Sequence, residues 1–134
     1  MTGNMKEISV KTERRTALVN ITREISDYVR DAGLERGVVT VFVPHTTAGV
    51  TINENADPDV MIDIDEVLDR LIPWSNGYRH MEGNTAAHVK ASLMGSSVQV
   101  IVEGGRLCLG TWQGVFFCEF DGPRHRTCWI SGTR

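Results

Sequence analysis

Long apolar runs are missing from this chain of 134 residues. No stretch offers the 18 or so consecutive apolar residues that a membrane-spanning helix needs, so a membrane partner is not expected. A surplus of one charge is also missing. Fourteen Lys and Arg stand against 17 Asp and Glu, for a net charge of −3. A mildly acidic chain lacks the basic patch that neutralises phosphates, so nucleic acid is not an expected partner either. Cysteine is scarce: Cys108, Cys118 and Cys128 are the only three. An odd count argues against a disulfide framework. Their ten-residue spacing lacks the close CxxC-like pair of a zinc site. All three lie in apolar, strand-like runs and read as small buried hydrophobes. The opening MTGNMKEI has no apolar run of the secretory kind, which makes a cytoplasmic protein the expectation. Linkers, low-complexity tracts and internal repeats are absent too. One domain over residues 1–134 is expected from the length.

What is present is ordered by periodicity. KEISVKT alternates and reads as a strand. From Asn20 the period becomes helical, with Ile21, Ile25, Tyr28 and Val29 on one face and Gly33 as a terminating residue. GVVTVFVP is a β-branched apolar run, read as a buried strand that ends at Pro44. VTINEN is a further short strand. Asp57 and Pro58 open a second helix as N-cap and first residue, with Val60, Ile64, Val67, Leu68 and Leu71 as its buried stripe. Its Asp63, Asp65, Glu66 and Asp69 read as a solvated acidic face. Asn84 begins a third helix carrying Ala87, Ala91 and Met94, ended by Gly95. SVQVIV turns at Glu103-Gly104-Gly105-Arg106 in a two-residue hairpin, and LCLGTWQGVFFCEF turns at Asp121-Gly122-Pro123-Arg124 into HRTCWI. Helices and strands do not alternate regularly, so the expected class is α+β with a largely antiparallel sheet and about three helices.

Strand parity sharpens the end of the chain. If Asp121 and Arg124 close a two-residue turn, Glu119 lies directly opposite Arg126. Gln113, Val115 and Phe117 share that face, while Phe116, Cys118 and Phe120 point the other way into the core. In this register Cys118 and Cys128 also fall on opposite faces. Two readings remain open for the Glu119–Arg126 side. It is a surface ion pair worth under about 1 kcal/mol, or a polar strip lining a cleft or a subunit interface.

Half of the four histidines sit in RHMEGNTAAH, residues 79–88. With Asn84 as N-cap, His88 is the fourth helical residue. Helical side chains lean toward the N-terminus, so His88 reaches back toward the loop bearing His80. That end of a helix favours anions. The spacing of His80 and His88 is not the HxxxH pair of one zinc-binding helix face. His45 follows a strand and leads into Thr46, Thr47, Ala48 and Gly49, a small-residue turn with hydroxyls and backbone N–H groups suited to an anion.

Taken together, HTTAGVTINENADP, YRHMEGNTAAHVKASLMG, GGRLCLGTWQG and CEFDGPRHR resemble the YjbQ family of small bacterial and archaeal proteins. The similarity runs from about Lys6 to Ile130. It implies an α+β homotrimer with clefts between subunits. It also implies secondary thiamine-phosphate synthase activity, the joining of a pyrimidine diphosphate to a thiazole phosphate with release of pyrophosphate. The family's recurrent polar positions match here as His45, Thr46, Asn53, Glu54, Asn55, Asp57, His80, Asn84, His88, Trp112, Gln113, Glu119 and Arg126. The closing TCWI departs from the family pattern and reads as packing.

The candidate catalytic residues are therefore His45, His80, His88 and Glu54. The candidate ligand-binding residues are Thr46, Asn55, Asn84, Gln113, Glu119 and Arg126. Three functions compete. In a phosphate-handling enzyme, Arg126 and the third helix's N-terminus hold phosphate oxygens and a histidine moves a proton. A divalent cofactor would be Mg²⁺ on Asp or Glu oxygens, or Zn²⁺ on histidines. In a metal-dependent hydrolase, His80 and His88 are ligands and Glu54 or Glu119 is the base. In a non-catalytic protein, the same cleft senses or sequesters a phosphorylated metabolite. The classical thiamine-phosphate synthase is a (β/α)₈ barrel. This chain is too short for that fold, so a shared activity would be convergent.

Overall fold

The computed structural model describes residues 5–134. The reading of the opening residues as lacking a secretory signal falls in part on residues 1–4, outside the described residues. The elements in order are β1 (Lys6–Lys11), β2 (Ala17–Asn20), α1 (Thr22–Asp31), β3 (Arg36–Phe42), β4 (Ala48–Glu54), α2 (Pro58–Leu71), α3 (Thr85–Met94), β5 (Ser97–Glu103), β6 (Arg106–Leu107), β7 (Gln113–Glu119) and β8 (His125–Thr133). The class is α+β, with three helices among the described residues. All strand pairs are antiparallel. No helix is long and apolar enough to cross a membrane among the described residues.

The strands form two sheets. One runs β1-β8-β3-β5-β6, the other β2-β7-β4. Between them lies the main core. The larger sheet gives Val39, Val41, Val100, Val102, Cys128 and Ile130, and the smaller gives Val50, Val115 and Phe117. Each fully buried large side chain is worth about 1.5–3 kcal/mol over an exposed one. The expected α1 stripe is realised, since Ile21, Ile25, Tyr28 and Val29 are all buried in this core. A second cluster covers the other side of β7. There Phe116, Cys118 and Phe120 meet Ala87 and Ala91 of α3, with Met61 and Leu68 of α2 packed alongside.

Local signals act as their chemistry predicts in several places. Asp57 accepts a hydrogen bond from the backbone N–H of Asp59, and Pro58 occupies the first turn. Gly104 and Gly105 take positive φ angles, 60° and 73°, and close the β5–β6 hairpin with Glu103 opposite Arg106.

Other expectations are corrected. The last hairpin does not exist as a strand pair. β7 and β8 belong to different sheets, and residues 121–124 carry the chain from one to the other. The expected long strand from Leu107 is broken, because residues 108–112 leave the ladder between β6 and β7. Cys108 is exposed rather than buried. β3 is buried on one face only: Val39 and Val41 point inward, whereas Phe42 is exposed and stacks on Trp129 with centroids 5.7 Å apart. The α2 stripe is shallower than its periodicity suggests. Val67 and Leu71 are exposed, and no α2 residue is fully buried. α2 lies on a sheet that is itself only three strands wide, so little apolar surface is available to cover it. One polar tie holds it, an ion pair from the buried Lys90 of α3 to Asp69 at 3.3 Å.

Candidate functional site

The start of α3 brings together what RHMEGNTAAH separates. The rings of His80 and His88 meet edge to face, with centroids 5.5 Å apart. This follows from the backward lean of a helical side chain toward the preceding loop. Asn84 stands at the N-cap position but makes no side-chain cap bond. Its Nδ2 donates instead to Glu82 Oε2 at 3.0 Å and to Asp121 Oδ2 at 2.9 Å. The two carboxylates fix the amide through its N–H groups. They leave Oδ1, the atom a cap would use, buried without a hydrogen-bond partner among the described residues. The Asp121 contact ties α3 to the β7–β8 connection. Glu82 also lies 3.7 Å from His80 Nε2.

His88 also lines one cleft with His45. This cleft of about 510 Å³ runs between the loop after β3 and α3, lined by His45, Thr46, Ala48, His88, Ala91, Ser92, Gly95 and Ser96. His45 is anchored through Nε2, which lies 3.0 Å from the backbone N and 3.1 Å from the backbone O of Thr127. Burial lowers the pKa of His45, and the charge of Arg126 lowers it further, against the opposing pull of the Thr127 backbone and Glu119. The ring is therefore held toward its neutral form, which suits an acid–base group.

Behind this loop lies a buried charge network. Arg126 donates from Nε to Glu119 Oε1 at 2.8 Å, and its Nη2 bonds Glu119 Oε2 and Thr47 Oγ1. Thr12 Oγ1 and the backbone N–H of Asp121 also donate to Glu119. Burial alone would raise the Glu119 pKa. The hydrogen bonds from Arg126, Asp121 and Thr12, with the Arg126 charge, outweigh it and hold the carboxyl below its usual range. This pair is an interior tie between the sheets, neither a surface ion pair nor a wall of the cleft. Arg126, expected to grip phosphate, directs its named contacts to Glu119 and Thr47. It serves by holding Thr47, two residues after His45.

Residues 6–134 match the family described as UPF0047 protein YjbQ-like. This chain belongs to that family. It is 54% identical over 127 residues to the UPF0047 protein YugU of Bacillus subtilis, covering 94% of this chain and 96% of the other. A UPF0047 protein of Methanocaldococcus jannaschii is 49% identical over 121 residues, covering 90% and 88%. Among solved structures, a YjbQ/UPF0047 protein of Clostridium acetobutylicum superposes with a TM-score of 0.94 at 52% identity, covering 96% of this chain and 99% of the other. A conserved hypothetical protein of Thermus thermophilus gives 0.89 at 42% identity, covering 96% and 99%.

The YjbQ-like motif residues fall in three places, not one: the buried Glu119–Arg126 pair is the first. His45, Thr46, His80, Asn84 and His88 gather at the cleft and its rim. Glu54, Asn55 and Gln113 lie at the far end of β4, where Glu54 is opposite Gln113. Ala48 begins that strand six residues earlier, so these last two groups are about 20 Å apart along it. There Glu54 accepts from the backbone N–H of Ala56 and Asp57, and Gln113 from that of Gly110. Asn55 bonds Asn20 beside a smaller cleft of about 250 Å³. Glu54 therefore cannot act as a base for His80 or His88 of its own chain. Sequence reasoning missed the bracing role of Thr47 and the hold of Thr127 on His45. Thr127 lies in the TCWI stretch assigned to packing, and Pro44, one residue before His45, was its only available signal. Among the described residues, no group of three or more His, Cys, Asp and Glu side chains is arranged to hold a metal ion.

Proposed function

We propose that the His45–His88 cleft binds a small phosphorylated metabolite, with the two histidines moving protons during transfer or cleavage at phosphorus-bearing groups. The observation that carries this reading is the convergence of His45 and His88 on one cleft of about 510 Å³, a volume suited to a small ligand. Thr46 and Ser96 supply hydroxyls for phosphate oxygens in the same cleft. The specific reaction we propose is thiamine-phosphate synthesis, in which pyrophosphate leaves a pyrimidine diphosphate and a thiazole phosphate is joined to the pyrimidine. One histidine would assist departure of the pyrophosphate by giving it a proton.

A divalent metal is part of the same proposal. His80 and His88 are the residues that would hold Zn²⁺, leaving His45 as the group that moves the proton when the metal is bound. The contact of their rings, with Glu82 nearby, supports them. Two imidazoles do not complete a tetrahedral site, so further ligands would come from Glu82, the substrate or water. We also take the protein to act as a cytoplasmic homotrimer. Separation of the cleft residues from those at the far end of β4 supports a site shared between copies, and three free thiols suit a reducing compartment.

The test is pyrophosphate release from the pyrimidine diphosphate in the presence of the thiazole phosphate. Turnover lost by at least about tenfold in both His45→Ala and His88→Ala, in folded protein, is expected. Undiminished turnover in both variants overturns the reading. Light scattering checks the trimer, and metal analysis of protein purified without chelator checks the metal.

A further inference from the structure

The setting of His45 has an unusual feature. β3 and β8 pair up to Phe42 and Trp129. Extending that register by two residues sets Pro44 against Thr127. Proline has no N–H to give the Thr127 carbonyl. The gap is filled by a side chain: His45 Nε2 sits 3.0 Å from the Thr127 nitrogen and 3.1 Å from its oxygen, with Oγ1 at 3.4 Å. The ring thus stands where the next strand residue would pair. An unprotonated Nε2 accepts from the Thr127 N–H. A protonated Nε2 donates to the Thr127 carbonyl. Neither state needs the ring to move.

We propose that Thr127 is a positioning residue whose backbone holds His45 in both neutral tautomers, leaving Nδ1 as the atom that exchanges protons in the cleft. This rests on reading the cleft as a reaction site. When Nδ1 takes a proton from a bound group, the ring becomes an imidazolium whose Nε2–H stays on the Thr127 carbonyl. When Nδ1 returns that proton to a leaving oxygen, the ring is neutral again. Burial and the Arg126 charge oppose the charged stage, against the Thr127 backbone and Glu119, which favour it. Most histidine bases are tied to one acceptor and fixed in one tautomer. Here the tie accepts either.

Nitrogen-15 NMR of histidine-labelled protein tests this, with His45→Gln to assign the signals. At a pH where the ring is neutral, both nitrogens are expected at shifts between the protonated and unprotonated extremes. Added inorganic pyrophosphate is expected to move Nδ1 more than Nε2. A single tautomer, or pyrophosphate that binds and leaves Nδ1 unmoved, overturns the proposal. Thr127→Pro removes the N–H that His45 accepts and is expected to lock the Nε2–H tautomer. A folded Thr127→Pro protein, checked by circular dichroism, that keeps the wild-type shifts also overturns it. If that variant fails to fold, the wild-type spectra decide. Two tautomers without any pyrophosphate binding would leave the His45 arrangement standing and overturn the phosphate reading of the cleft.

Discussion

Arg126 and Glu119 form a two-pronged, buried ion pair between strands of two different sheets that share no ladder. Glu119 is fully buried and Arg126 nearly so. Breaking one partner leaves the other charged and unpaired in the core, at a cost of about 3–5 kcal/mol. Glu119→Ala should therefore lower the unfolding free energy by about that amount in urea titration. Replacing both residues with apolar ones of similar size should recover most of the loss. Because the folded Glu119 pKa lies below the ordinary 4.5, its contribution is complete above that value and is lost as pH falls through the folded value.

His45 should leave its own mark on stability. Its folded pKa lies below the ordinary 6.5. Between the two values the unfolded chain binds more protons, so stability rises with pH across that window. Acidification below 6.5 should cost the wild type stability that His45→Gln does not lose. Paired urea titrations from about pH 7.5 downward measure the difference. Parallel curves would contradict it.

α3 comes close to β4 at Gly49. A Cβ there would sit 2.6 Å from the Gly95 carbonyl oxygen and 3.1 Å from Met94 Cβ. Gly49→Ala must push the end of α3 outward, at about 1–3 kcal/mol. Since α3 carries His88 into the cleft it shares with His45, pyrophosphate binding should weaken as well. Calorimetry on the folded variant reads both effects.

The thiols should differ sharply. Burial pushes Cys118 and Cys128 up to about 12, while Cys108 is exposed. A thiol reagent should titrate one cysteine quickly in the folded protein and all three in denaturant. Rapid reaction of two or three thiols in the native state would contradict the burial of β7 and β8.

Parity along β7 is legible in the sequence alone. Val115 and Phe117 fall on one face and Phe116, Cys118 and Phe120 on the other, as the period requires. The first face, however, is the one in the main core between the sheets, and the face read as core packs against α2 and α3. The two-residue period is local, so it holds whichever strand lies alongside. That is why Glu119 and Arg126 meet although the hairpin that predicted their meeting is absent. The lean of His88 toward His80 is legible for the same reason, being a property of one helix turn.

Partner choice is not legible. The turn chemistry of residues 121–124 announces a reversal in the chain but carries no record of which strands will pair across it. Sheet membership follows from how the two apolar faces close over Phe117 and its neighbours, a long-range packing outcome. Burial of Arg126 follows from that closure, which turns an expected phosphate ligand into a brace for the His45 loop. The hold of Thr127 on His45 joins residues 82 positions apart. It exists because a proline ends one strand beside another that still has backbone groups to satisfy. Helix positions and strand faces are set by neighbours in the chain, whereas sheet partners and the protein's buried charges are set by neighbours in space.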